Sequence, residues 1–334
     1  MRTRSKIGIG CLAIVLLIVG AGAWFWFTRE PRPIVVAEPG DGGERMMLGE
    51  APANFYPAGG PGAGGDASPA ILLLGGSEGG LKETRNALAR QLAAQGYAVL
   101  YPGYYMTRED NRAFELVPLE TLDAALAWLA AREGVDPARI AVVGHSKGAE
   151  GALLVASRHP EVAAVVAAMP SDVVWQGFDF AGMDQSAMDS SWSAGGEPLP
   201  YVPYILPAWH EWITGGMGTL GKMYRTSWDA RGQYPEAAIP VERIEAPILL
   251  ICGEQDSLWP GCAMARAAQD RASEAELLAY DDAGHWAFGP LEGLHESDRA
   301  YLGQMGGTAE GDMAARRDQW PKILAFLDRA LAPE

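Results

Sequence analysis

Cysteine, histidine and positive charge are all scarce in this chain. Its 334 residues include three cysteines and five histidines, and 26 Lys and Arg stand against 42 Asp and Glu. No Cys or His lies at metal-ligand spacing, so neither a metal site nor any other cofactor is expected. The formal net charge of −16 removes the basic face that nucleic-acid binding requires. No internal repeat is visible. Against these absences, 49% of the residues are hydrophobic and 20% charged, the balance of a chain that buries a full core. Cys11 lies in an apolar segment. Cys252 closes an apolar run that reads as a buried strand, so a packed free thiol is expected there in preference to a disulfide.

One long uncharged run is present. Ile7 to Phe27 is 21 residues without a charge, long enough as a helix to cross a hydrocarbon core of ~30 Å. Trp24, Phe25, Trp26 and Phe27 stand where an interfacial aromatic belt would sit. Arg2, Arg4 and Lys6 precede the run, which puts the N-terminus in the cytoplasm and the rest of the chain outside it. A cleaved signal is the alternative, with Ala21-Gly22-Ala23 as the small-x-small site. Either way the remainder is exported. Residues 1–29 are therefore an anchor or signal segment, and the expected membrane contact runs through residues 7–27.

Residues 30–69 are rich in Gly, Pro and Ala and read as a tether with two edge strands, Arg45–Leu48 and Ala53–Tyr56. From Ala70 onward, apolar runs alternate with helical patterns. Strands are expected at Ala70–Leu74, Tyr97–Tyr101, Ile140–Val143, Val162–Ala168, Ile248–Cys252 and Ala275–Tyr280. Helices are expected over Leu81–Ala94, Ala149–Ser157, Cys262–Ala272 and Met313–Leu331. The pattern pauses over about 171–240, which reads as a cap insertion within a 70–334 domain. Such alternation predicts a mostly parallel sheet with helices on both faces, and such sheets bind ligands beyond the carboxyl ends of their strands.

At one of those ends stands Gly144-His145-Ser146-Lys147-Gly148, a G-x-S-x-G between a strand and a helix. A nucleophile elbow needs both glycines to relieve crowding while the serine hydroxyl stands clear of the sheet. A serine needs a base to take its proton. Of the five histidines, His145 lies inside the elbow, His159 precedes Pro160, His210 belongs to the insertion and His295 to a late loop. His285 follows the last expected strand and is the candidate base. Asp256 falls between serine and histidine, in the chain order Ser…Asp…His, with Glu254 as its nearest rival. Two backbone N–H groups must face the developing oxyanion. Lys147, next to the nucleophile, supplies one, with its side chain in solvent. Ser77, in Gly75-Gly76-Ser77-Glu78-Gly79-Gly80, supplies the other. This loop lacks the Lys-Ser/Thr of a nucleotide-binding loop.

With these pieces in place, the stretch from about Ile71 to Leu331 resembles the C-terminal catalytic domain of the acyl-CoA thioester hydrolase and bile-acid-CoA:amino-acid N-acyltransferase family. The likeness is carried by Leu74–Gly80, Gly144–Glu150, Gly196–Tyr201, Cys252–Pro260 and Ala283-Gly284-His285, in that order. It implies an α/β-hydrolase fold and the same three residues, Ser146, Asp256 and His285. The chain has too little sequence before the sheet for the immunoglobulin-like domain of longer members. It also has serine where the amino-acid-transferring branch has cysteine, which favours hydrolysis over transfer.

The insertion carries Trp175, Trp192, Trp209, Trp212 and Trp228, expected to line an apolar acyl pocket. It also carries eight carboxylates against three cations, a poor surface for polyanionic coenzyme A. The expected function is thus a serine hydrolase of small-molecule acyl esters or thioesters. Acyl transfer to an amine or alcohol is the alternative within enzymes. A membrane-tethered binding module without catalysis is the alternative from another class.

Overall fold

The computed structural model describes residues 33–59, 67–179, 187–215 and 217–333. The chain divides into two compact units, 1–33 and 34–334, and every element below belongs to the second. Residues 7–27, expected to enter a membrane, lie outside the described residues. Among the described residues no helix is long and apolar enough to cross one.

The apolar runs form the sheet. Its strands are β1 (Glu44–Leu48), β2 (Ala51–Tyr56), β3 (Ser68–Leu74), β4 (Ala98–Pro102), β6 (Val135–His145), β7 (Ala164–Ala168), β10 (Ile248–Gly253) and β11 (Ala275–Tyr280). They lie in the order β1-β2-β4-β3-β6-β7-β10-β11. The expected edge strands β1 and β2 supply its antiparallel end, and from β4 to β11 every pairing is parallel. Successive residues face opposite sides, so both faces must be apolar where helices cover both. In β3, Leu72 and Leu74 enter one buried cluster while Ile71 and Leu73 enter the other.

The helices are α1 (Glu83–Ala94), α2 (Leu119–Ala130), α3 (Lys147–Ala156), α4 (Trp209–Gly215), α5 (Met217–Asp229), α6 (Gly261–Gln269), α7 (Glu296–Arg299) and α8 (Ala309–Ala330). Helix α2 shows why spacing was informative: Leu119, Leu122, Leu126 and Leu129 recur on one face, and all are buried. Within 171–240, two short strands, β8 (Trp192–Ala194) and β9 (Glu197–Pro198), join β5 (Val117–Pro118) in a separate three-stranded sheet in which β8 lies between the other two. Trp175 and Trp192 are fully buried there, whereas Trp209 is 75% exposed. Two of the five tryptophans thus pack the insertion onto the domain.

The expected free thiol is a disulfide. Cys252 at the end of β10 is bonded to Cys262 in the first turn of α6, with Cα atoms 5.1 Å apart. The burial of Cys252 was legible from its apolar run, but its approach to Cys262 depends on how the 253–261 loop returns the chain to the strand end. That geometry is tertiary, not local. Cys262→Ser is expected to cost about 2–3 kcal/mol by freeing a short loop in the unfolded chain. Urea unfolding checks this: the wild type in reductant should approach the variant, and coincident oxidised and reduced transitions would refute the bridge.

Candidate active site

The turn from β6 into α3 holds Ser146 at φ 58°, ψ −123°, a region that residues with side chains rarely occupy. Two glycines make it possible. A Cβ on Gly144 would lie 2.1 Å from the Gly148 carbonyl oxygen, and one on Gly148 would lie 2.4 Å from those of Leu74 and Gly75. The elbow is therefore pressed against the end of β3, and the Ser146 side chain projects beyond the strand ends.

There it meets the other expected residues. His285 Nε2 is 2.9 Å from Ser146 Oγ, and His285 Nδ1 is 2.7 Å from Asp256 Oδ2. The second contact implies Nδ1–H donating to the carboxylate, which leaves Nε2 to accept from the serine hydroxyl. Asp256 Oδ1 accepts the amides of Leu258 at 2.8 Å and Trp259 at 3.2 Å, so both of its oxygens are held. All three residues are buried. Glu254, the rival to Asp256, is turned outward to Arg266. His159 lies between Asp123 and Glu161, and His145 is buried beneath the elbow.

The Gly-rich loop after β3 lies beside the serine. Tyr104 donates its hydroxyl to the Gly75 carbonyl, and Tyr105 to that of Ser77. Gly79 N–H bonds Gly76 O and Gly80 N–H bonds Tyr105 O.

A model of the family described as BAAT / acyl-CoA thioester hydrolase C terminal matches residues 117–333. The chain belongs to this family. Acyl-coenzyme A amino acid N-acyltransferase 2 of Rattus norvegicus is 30% identical over 65% of this chain and 48% of its own length. Mitochondrial acyl-coenzyme A thioesterase 2 of the same organism is 25% identical over 79% of this chain and 56% of its own. The chain thus spans about half the length of these relatives. Among solved structures, an esterase of Pyrobaculum calidifontis aligns with TM-score 0.53 at 18% identity, covering 89% of this chain and 88% of that one. An acylaminoacyl peptidase of Pyrococcus horikoshii aligns with TM-score 0.52 at 12% identity, covering 86% and 41%. These neighbours share the α/β-hydrolase fold.

The Ser146-Lys147-Gly148-Ala149 turn has an unexpected feature. The Lys147 side chain, expected in solvent, is 2% exposed and pairs at 2.6 Å with Glu150, which is fully buried. Lys147 Nζ also donates to Ser191 Oγ at 2.9 Å and lies 4.9 Å over the Phe114 ring. Glu150 accepts the Trp192 indole N–H at 3.0 Å and the Trp175 amide at 3.3 Å. The pair fastens α3, which begins directly after Ser146, to the insertion. Burial pushes the Lys147 ammonium down and the Glu150 carboxyl up, each opposed by its partner's charge. The i, i+3 spacing was visible in the sequence. What covers it comes from residues 114 and 175–192, which local pattern does not bring together. Lys147→Met alone strands a buried carboxylate and should cost about 3–5 kcal/mol. Lys147→Met with Glu150→Gln should cost less than the single changes summed. A double-mutant cycle by urea unfolding measures this, and strict additivity would refute the coupling.

Proposed function

We propose that this protein is a serine hydrolase that cleaves small-molecule acyl esters or thioesters through an acyl-enzyme on Ser146. The observation that carries this reading is the line Ser146 Oγ, His285, Asp256 with its 2.9 and 2.7 Å contacts. In the proposed step His285 Nε2 takes the hydroxyl proton as Ser146 Oγ bonds the acyl carbon. The proton then passes to the departing alcohol or thiol as its bond to the acyl carbon breaks. Water, deprotonated by the same nitrogen, releases the acid and restores the serine. Asp256 keeps the imidazole in the required tautomer and stabilises the imidazolium. The amides of Ser77 and Lys147 receive the oxyanion, the latter also at the N-terminus of α3.

Entry needs movement. Ser146 is 4% exposed and His285 3%, and the ring of Trp259 packs on His285 while Tyr224 of α5 packs on Trp259. Tyr224 of the insertion thus lies one ring removed from the base, behind Trp259, and these two rings are the groups an acyl chain must displace or join.

Within this reading the leaving group is not coenzyme A. The cap's cations are largely engaged: Lys222 pairs with Glu211, and Arg231 stacks 3.5 Å over the Trp228 ring beside Asp172. An acidic cap with committed cations repels a polyanionic thiol. Its exported location is part of the same proposal. It is supported by the basic residues ahead of the 7–27 run and by the buried disulfide, which persists in oxidising compartments. A second reading, transfer to an amine or alcohol, is favoured by the relative named as an N-acyltransferase.

Ser146→Ala should abolish labelling by a fluorophosphonate probe and lower turnover by at least about 10³-fold, and Asp256→Asn should lower it by about 10²- to 10⁴-fold. Labelling that survives in Ser146→Ala would overturn the nucleophile. Turnover of long-chain acyl-CoA against neutral acyl esters tests the leaving group. A strong preference for acyl-CoA would overturn the proposal, and product analysis with added amines separates hydrolysis from transfer.

A further inference from the structure

The catalytic reading leaves three buried or part-buried ionisable groups beside the site without a task. Glu78 sits within the Gly-rich loop, Arg85 in α1 and His145 in the elbow. Arg85 Nε donates to Glu78 Oε1 at 2.7 Å, and Arg85 Nη2 lies 3.0 Å from His145 Nδ1. His145 Nε2 in turn lies 2.9 Å from the backbone carbonyl oxygen of His285. We propose that Glu78, Arg85 and His145 are positioning residues that set the oxyanion loop and the base as a single unit. This rests on the role proposed for Ser146 and His285.

The direction of each bond follows from chemistry. A guanidinium has donors only, so His145 Nδ1 must accept from Arg85. Its ring proton therefore sits on Nε2 and is donated to the His285 carbonyl. Burial and the neighbouring Arg85 cation push His145 well below its ordinary value, which keeps the ring neutral and this tautomer in place. The His285 amide is held as well, donating to the Met305 carbonyl at 3.2 Å. The His145 ring also stacks on Phe288, with centroids 5.6 Å apart and planes 4° from parallel. Both of its polar ends and one of its faces are thus occupied, so the ring has one orientation.

At the other end of the chain of bonds, Glu78 shapes the oxyanion loop. Burial raises its carboxyl, but the Arg85 charge, the Arg85 hydrogen bond and the amides of Glu78 and Gly76 together hold it below the usual carboxylate range. The carboxylate is packed against the loop itself: a Cβ on Gly76 would lie 2.8 Å from Glu78 Oε2 and 3.3 Å from Ser146 Cβ. Holding that carboxylate on Arg85 therefore holds the Gly76–Ser77 peptide beside the serine. Tyr105, on the Ser77 carbonyl, fixes the next peptide. A structural ion pair would need only Glu78 and Arg85. The third member spends its second nitrogen on the backbone of the base, which a purely structural pair does not require.

The test uses the full chain and p-nitrophenyl butyrate, with a trifluoromethyl ketone as tetrahedral mimic. Arg85→Met should lower kcat by about 10- to 100-fold with KM within about threefold, in the range of losing part of one oxyanion donor. Affinity for the ketone should fall by the same factor as kcat. His145→Gln keeps an N–H near the Nε2 position, whereas His145→Asn places its amide near Nδ1. The glutamine variant should therefore retain at least about tenfold more kcat than the asparagine variant, a rescue ordering that general destabilisation does not produce. Should Arg85→Met fail to fold, the two His145 variants decide. Folded Arg85→Met with kcat within threefold of wild type, or an asparagine variant at least as active as the glutamine one, overturns the proposal. Failure of the nucleophile assignment is separately visible, because wild-type protein would then take no fluorophosphonate at Ser146.

Discussion

The contact between Gly144 and Gly148 across the elbow is the constraint from which the site follows. It lets α3 begin immediately beyond β6, with Ser146 in a backbone conformation that a looser turn would relax. The same contact brings Gly148 against the carbonyls of Leu74 and Gly75. The end of β3 and the start of the Gly-rich loop are thereby placed beside the nucleophile. Because β3 and β6 are neighbours in a parallel sheet, both loops leave the sheet at the same edge. One steric fact thus fixes the serine, the first amide of α3 and the loop that faces them.

The acid and base loops are joined by a comparable approach. A Cβ on Gly253 would lie 2.4 Å from the Ala283 carbonyl oxygen, so the strand ends that precede Asp256 and His285 are in backbone contact. Gln255 N–H reinforces this by bonding Ala283 O at 3.0 Å. The Cys252–Cys262 bond closes the loop that carries Asp256 from behind. Acid and base are then presented as one surface against the elbow, and the imidazole needs no long side chain to bridge them.

The sheet and Ser146 were legible because their signals are local, whereas His285 came from elimination among five histidines and Asp256 from chain order. A continuous apolar run of five to eight residues means a strand buried on both faces, and a glycine-flanked serine between strand and helix means a sharp turn. The boundaries moved by a few residues, as at β6, which starts at Val135 and not at Ile140. What was missed has a common cause. The disulfide, the burial of Lys147 and the Glu78–Arg85–His145 chain each depend on partners between ten and sixty positions away or on what the insertion covers. Lysine at a helix start is normally solvated, and only the packing of Phe114, Ser191 and Trp192 around it reverses that expectation. The tryptophans show the same limit, since Trp175 and Trp209 are alike in sequence setting and opposite in burial.

The distribution of charge gives these buried groups their meaning. The exterior is acidic, with a formal net charge of −16 for the chain, yet the groups next to the nucleophile are paired or neutral. Lys147 is matched by Glu150, Arg85 by Glu78, and His145 is held without charge. An unpaired carboxylate this close to the serine would oppose any negative charge that develops beside it. Glu78 escapes that penalty because the Arg85 guanidinium pairs with it at 2.7 Å.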